Sequence, residues 1–295
     1  MARRVGAAFL LAVALFVAPA SGMVEVVDDS GRRVVLAGPA RRVVSLYAGH
    51  SENLLALGAG GILAGVSSAD DKALFPHVQA LPERPDGERI LALNPDLVLI
   101  RPRNEAPLAG TLRLLESSGV AVASLAPPAR DTMEAYLARI GALAGIRDPE
   151  RIWRDKTEAL RKAAPEGAGP RVFFESSSRG FLTCSPSSWA AFAIELAGGR
   201  NGASGAVPLR PGSPLAPWGE ERILALTSEG LDFYLVQTGP MNPVSEEEVL
   251  ARPWISGLGD ARIVLVPEEL VSRPSLLRLE EGVERLRQIF SRKEG

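Results

Sequence analysis

At 295 residues, with 46% hydrophobic and 23% charged residues, the chain has the composition of a globular protein of about two domains, not of a disordered, coiled-coil or collagen-like one. Its net charge of −2 leaves no positive excess to neutralise a phosphate backbone, which argues against nucleic acid as a partner. The single cysteine, Cys184, excludes an internal disulfide and a cysteine-pair metal site, and the two histidines, His50 and His77, exclude a site that needs three.

Arg3 and Arg4 precede an apolar or small-residue run from Val5 to Val17, and Ala18-Pro19-Ala20 follows as an A-x-A cleavage pattern. This is the form of a secretory signal peptide. The 13-residue run reaches about 20 Å as a helix, short of a hydrocarbon core of about 30 Å, so a membrane anchor is disfavoured. We expect export, cleavage near Ala20 and a soluble periplasmic chain beginning at Ser21. No cysteine follows the cut to carry a lipid, and Arg3-Arg4 lacks the flanks of a twin-arginine signal, which leaves the export route open.

Beyond the leader, Val24–Val27 and Arg33–Leu36 flank Asp29-Ser30-Gly31 and read as a hairpin. Val43–Leu46 reads as a buried strand, Tyr47–His50 as a loop and Ser51–Leu57 as a helix stopped by Gly58. A strand at Ile62–Val66, a helix at Glu88–Leu93, a strand at Asp96–Ile100, a helix at Ala106–Ser117 and a strand at Val120–Ser124 follow. Apolar strands alternating with helices predict a mainly parallel sheet, because parallel strands need crossover helices and are covered on both faces. Asp131 with Glu134 predicts a capping box, and Asp148-Pro149 starts a second helix that runs to Ala164. A second α/β pattern then takes in strands at Arg171–Glu175, Phe233–Val236 and Ile263–Val266. Its helices lie at Pro186–Leu196, after the Ser245/Glu248 cap, and at Pro274–Phe290. Glu88-Arg89-Ile90-Leu91-Ala92-Leu93 recurs as Glu221-Arg222-Ile223-Leu224-Ala225-Leu226, each copy leading into a strand. We therefore expect an α/β fold of two similar lobes with a ligand cleft between them: a signal peptide over 1–20, an N-terminal lobe over 21–130, connecting helices over 131–165 and a C-terminal lobe over 166–295.

Open parallel sheets bind ligands at the carboxyl ends of their strands. That rule selects Tyr47, His50, the loop 67–71, Arg101 and Arg103 in the first lobe. In the second it selects Arg179, Met241 and Arg273, with Trp218 ahead of the repeated helix. Flat apolar contacts beside guanidinium forks suit a large, partly aromatic or macrocyclic ligand carrying carboxylates. Since 29 of the 33 basic residues are arginine, any single one of these also reads as a solvated surface cation.

Asp29-Ser30-Gly31-Arg32, Arg42–Leu46, Glu52 with Leu57-Gly58, Asn94-Pro95-Asp96-Leu97-Val98, Glu195–Asn201 and Arg273-Pro274 occur in an order that resembles the periplasmic solute-binding proteins of the vitamin B12, ferric-siderophore and haem importers. The resemblance covers the chain beyond the leader. It implies two Rossmann-like lobes, a stiff helical connection and closure by small motions. It also implies a monomer that hands an iron or cobalt chelate to an ABC permease and its ATPase, with no intrinsic cofactor and no chemistry of its own. In that family a glutamate opening the repeated helix of each lobe docks into permease arginines, which transfers here to Glu88 and Glu221. Both also read as ordinary first-turn glutamates favoured by the helix dipole. Tyr47 and His50 depart from the small polar loop usual in the family. A phenolate or an imidazole there can ligate or cover a metal, and equally Tyr47 can pack at the cleft wall and His50 cap the next helix.

Three other classes fit less well: an adhesion or structural module, which has no need of a duplicated cleft, an exported enzyme and a receptor for a free metal ion. A dinucleotide enzyme needs G-x-G-x-x-G after a strand, but Gly58-Ala59-Gly60-Gly61-Ile62-Leu63 follows a helix and ends on Leu63. No G-x-S-x-G elbow is present. A receptor for a free metal ion would draw on several histidines, and this chain has two.

Overall fold

In the computed structural model, which describes residues 22–291, strands β1 (Val24–Val27) and β2 (Arg33–Leu36) pair antiparallel. Val26, Val34 and Leu36 are buried while Val27 and Val35 face out, the period of two expected of a half-covered ribbon. Asp28 closes the turn, accepting from the amides of Ser30 and Arg32, and its second oxygen accepts from the Ser124 amide 2.9 Å away.

The first lobe continues through β3 (Val43–Ser45), α1 (Ala48–Ala56), β4 (Leu63–Ser67), β5 (Gln79–Leu81), α2 (Gly87–Leu91), β6 (Leu97–Ile100), α3 (Pro102–Glu105), α4 (Ala109–Ser117) and β7 (Ala121–Ser124). All five strands from β3 to β7 run parallel, in the order β5-β4-β3-β6-β7. The order reverses between β3 and β6, the switch point at which such sheets open a crevice. Pro107 has no N–H to donate, so the helix expected over Ala106–Ser117 is split into α3 and α4 and starts a turn early.

Two helices, α5 (Met133–Ala144) and α6 (Pro149–Lys162), connect the lobes. The expected Asp131/Glu134 capping box does not form. Instead Thr132 Oγ1 accepts from the Ala129 amide at 2.9 Å, and a turn of 3₁₀ helix precedes α5.

The second lobe is built from β8 (Arg171–Ser177), β9 (Leu182–Cys184), α7 (Trp189–Leu196), β10 (Arg200–Asn201), β11 (Leu215–Pro217), α8 (Glu220–Ser228), β12 (Phe233–Thr238), α9 (Glu246–Leu250), β13 (Arg262–Pro267), α10 (Glu268–Val271) and α11 (Leu276–Ser291). Its sheet runs β11-β9-β8-β12-β13, with β10 beside the start of β8. β8, β10, β12 and β13 are parallel, whereas β9 folds back on β8 and β11 pairs antiparallel with β9. The Ser245/Glu248 capping box forms as expected.

The sequence repeat is a structural one. α2 and α8 each lead into the strand that lies beside the first strand of its lobe's main sheet, β6 beside β3 and β12 beside β8. An aspartate ahead of that strand ties it to the start of the first: Asp96 accepts from the amides of Arg41 and Arg42, and Asp232 from that of Arg171.

Each lobe has its own apolar cluster on one side of its sheet, around Val98 and Leu115 in the first and around Phe173 and Trp254 in the second. A third cluster joins them, running from the hairpin through Leu54, Tyr136, Trp153 and Phe192 to Leu279 and Val283. A shared core of this kind resists the wide relative motion that a small polar interface permits. Among the described residues no helix is long and apolar enough to cross a membrane. The leader expected over 1–20 lies outside the described residues.

Candidate functional site

β3 and β6 are neighbours at the switch point, so the residues that follow them meet. Tyr47 follows β3 and caps α1 with extended backbone (φ −150°). The turn is fixed by Ser45 Oγ, which donates to the Tyr47 carbonyl at 3.0 Å, and by Ser51 Oγ, which donates to Ser45 Oγ at 2.8 Å. Arg101 follows β6 and lays its guanidinium carbon 4.2 Å from the centre of the Tyr47 ring. Gly49 makes room for that ring, since a Cβ on it would stand 2.5 Å from Tyr47 Cε1. Burial pushes the phenol up to about 12, more than the charges of Arg101 and Arg273 draw it down. Burial, then the neighbouring Arg103, pulls Arg101 below its ordinary value, and its Nε is buried without an acceptor.

His50 lies elsewhere than expected. Helix α1 starts at Ala48, not Ser51, so His50 stands in its first turn and is fully buried. Its Nε2 lies 3.3 Å from the Ile100 carbonyl and its Nδ1 2.8 Å from the Tyr136 hydroxyl. A carbonyl only accepts, so Nε2 carries the proton and Nδ1 accepts from Tyr136. Burial drives the imidazole down to about 4. With both nitrogens engaged inside the lobe, His50 offers no lone pair to a metal in the cleft; it backs Tyr47 edge-on, at 4.9 Å between ring centres.

The next turn of α1 reaches the other lobe. Glu52 is fully buried, and its Oε1 accepts from Arg273 Nη1 at 2.7 Å and Arg278 Nε at 3.2 Å. Arg278 also donates to Asp71 at 3.1 Å and Glu281 at 2.8 Å, and these carboxylates raise its affinity for its proton despite burial. Asn53 donates to the Pro274 carbonyl at 3.0 Å and accepts from the Leu276 amide at 2.8 Å, satisfying both groups where α11 starts. Beside this junction stands Asp70, 8% exposed, with neither carboxyl oxygen hydrogen-bonded. Burial pushes it up to about 7.

The structure thus sets Arg101 over Tyr47 and anchors Arg273 on Glu52, within electrostatic reach of the same phenol. The remaining candidates take part in none of these residues' hydrogen bonds or ion pairs among the described residues. Arg103 is exposed on α3 and pairs with Glu83 at 3.2 Å. Arg179 is exposed at the turn between β8 and β9, and Met241 is 49% exposed in the turn after β12. Trp218 is half-buried at the end of β11 with the Arg222 guanidinium 3.7 Å from its ring centre. His77 is exposed and Cys184 buried.

The ends of β8 and β12 contrast with those of β3 and β6. Glu175 takes both ends of the Arg252 guanidinium, at 2.7 and 2.9 Å, and the Tyr234 hydroxyl. Asn242 donates to the Gln237 carbonyl at 2.8 Å and accepts from both the amide and the hydroxyl of Ser178 at 2.9 Å. The buried polar groups named here at the ends of β8 and β12 are satisfied by one another, while those beside the ends of β3 and β6 keep Arg101 Nε, Glu52 Oε2 and Asp70 unpaired. Two open depressions, of about 530 and 570 Å³, lie away from Tyr47 on the connector and beside α11; charged helix side chains rim both. Among the described residues no cluster of three or more His, Cys, Asp or Glu side chains could hold a bare metal ion.

Glu88 and Glu221 are each exposed in the first turn of α2 and α8, and neither enters an ion pair among the described residues. Asp86 caps α2 by accepting from the Arg89 amide at 2.8 Å; Gly219, at φ +89°, opens α8 without a side-chain cap.

No family model matches the chain, and no curated protein does. Solved structures match it over most of its length. A possible iron-binding periplasmic solute-binding protein of Staphylococcus epidermidis ATCC 12228 is 20% identical, with a TM-score of 0.67 over 86% of this chain and 99% of that one. The periplasmic haem-binding protein HutB of Vibrio cholerae is 20% identical, with a TM-score of 0.64 over 85% and 99%. The periplasmic haem-binding protein RhuT of Roseiflexus sp. RS-1, in its apo form, is 22% identical, with a TM-score of 0.58 over 85% and 98%. The chain has the two-lobed α/β fold of these periplasmic solute-binding proteins, the fold that the sequence resemblance implied.

Proposed function

We propose that this protein is the extracytoplasmic receptor of an ABC importer for an iron or cobalt chelate, of the haem, ferric-siderophore or corrinoid kind. One observation carries the reading: a phenol with a guanidinium over its face, at the switch point of one lobe, within the electrostatic reach of an arginine from the other. Phenol and guanidinium together offer a flat aromatic contact, an oxygen ligand for a ferric centre and donors for carboxylates. The iron- and haem-binding neighbours with the same fold support it. The receptor binds its cargo in the periplasm without altering it. It docks through Glu88 and Glu221 onto the permease, whose ATPase then drives release. The crossover helices α2 and α8 both begin at the strand-carboxyl side of their sheets, which puts the two carboxylates on the side where the cleft opens.

The test is a titration of the purified protein with haemin, cobalamin and a ferric siderophore, read by visible absorbance and tryptophan fluorescence. One saturable spectral shift without turnover is expected. Failure of all three, with tight uptake of a bare metal ion instead, overturns the reading.

A further inference from the structure

Two guanidiniums share one oxygen of Glu52. Arg273 Nη1 and Arg278 Nε both donate to Oε1, and Oε2 is buried with no donor. Arg278 is fixed at three points, on Glu52, Asp71 and Glu281. Arg273 is fixed at one, and its side chain keeps 17% of its surface open. Its other N–H groups have no partner among the described residues. Arg101 Nε likewise has no acceptor, and both arginines act on the Tyr47 phenol. One cation with a spare donor thus lies over the Tyr47 ring, and a second, from the other lobe and held by Glu52, acts on it electrostatically.

We propose that Glu52 is a positioning residue that holds Arg273 by one end, so that its free donors, with those of Arg101, clamp a carboxylate of the cargo at the junction of the lobes. This rests on reading the cleft as a cargo site. A guanidinium anchored at one end presents its remaining donors in a fixed fork, which matches a carboxylate and costs little ordering when the ligand arrives. The anchor lies in the first lobe and the arm in the second. The clamp therefore exists only in this relation of the lobes, and drawing α11 away from α1 withdraws the arm and loosens the cargo. Arg278 keeps Glu52 compensated while Arg273 turns to its ligand.

Citrate, a tricarboxylate without a metal, is the probe, measured by calorimetry on the ligand-free protein. Glu52→Gln and Arg273→Gln should each weaken citrate binding about tenfold, and the double variant no more than either alone, because both remove the same clamp. Glu52→Asp, too short to span the contact, should give the same loss if Glu52→Gln folds poorly. Arg287→Gln, which breaks contacts to the Leu160 and Leu196 carbonyls far from the cleft, should lower the melting temperature and leave citrate binding unchanged. Additive losses, no loss in the Glu52 variants, or no citrate binding to the unaltered protein would overturn the clamp. Failure of haemin, cobalamin and siderophore with citrate behaving as stated would sink the cargo reading and leave the clamp standing.

Discussion

Asn53 and Leu276 stand 223 positions apart, yet the Asn53 Oδ1 accepts the Leu276 amide at 2.8 Å. The same side chain donates to the Pro274 carbonyl, so one residue of the first lobe closes the start of the last helix. Asn53→Ala would leave a buried amide and a buried carbonyl unpaired, a cost of about 1–3 kcal/mol in denaturant unfolding. Amide exchange should accelerate at Leu276.

Arg278→Ala should cost about 3 kcal/mol, because it strips a buried guanidinium from Glu52, Asp71 and Glu281. Arg33→Ala, at a pair with Glu25 in which the arginine side chain is 70% exposed, should cost less than about 1 kcal/mol. Urea midpoints of the two variants compare them directly.

Asp70 and His50 oppose each other in acid. The Asp70 carboxyl rises to about 7 on folding, so the native state binds the extra proton between roughly pH 4 and that value, and stability falls as pH rises through this window. His50 drops to about 4 on folding, so the unfolded state binds the extra proton between that value and roughly pH 6.5, and stability falls as pH drops. The advantage of Asp70→Asn over the unaltered protein should therefore grow from pH 4 to 7, by on the order of 4 kcal/mol. The cost of His50→Gln should also grow with pH, over pH 4 to 6.5. Unfolding measured across pH 4–8 separates the two; a flat difference for Asp70→Asn would refute the first assignment.

Gly49→Ala sets stability against binding. Alanine gains about 1 kcal/mol over glycine inside a helix, but here its Cβ falls 2.5 Å from Tyr47 Cε1. The ring, a movable side chain, should give way and leave its place beneath Arg101. The variant should melt no lower than the parent and bind its chelate more weakly. Unchanged affinity would mean that Tyr47 does not touch cargo.

Glu88→Ala combined with Glu221→Ala should leave chelate affinity and stability nearly unchanged, since both carboxylates are exposed and unpaired among the described residues. Binding to permease-containing vesicles and uptake should be lost. Lost chelate affinity would place the pair in the cleft.

Much of this fold can be read from local patterns. The hairpin, the parallel strands and the repeated helix announce themselves through turn residues, apolar runs and six identical positions. β9 and β11 do not, because three residues carry no periodicity and their pairing is set by the hairpin fold-back of β8. His50 lies in α1 and not in the expected loop for a local reason: Gly49 ahead of it reads as loop, whereas it is a helical glycine that clears the Tyr47 ring. Of the site, Tyr47 and Arg101 follow from the rule about strand ends. Arg273 follows from it too, but its pairing with Glu52 does not, since the two lie 221 residues apart and nothing local in the sequence joins them.

The first long helix of the chain is completed by the last. Leu54 of α1 shares its apolar cluster with Leu279 and Val283 of α11, and Glu52 and Asn53 find their partners at Arg273, Pro274, Leu276 and Arg278. Contacts of such long sequence separation form late and slowly. A ribosome delivering this chain from its amino end holds the first lobe short of its native packing until the final helix has emerged.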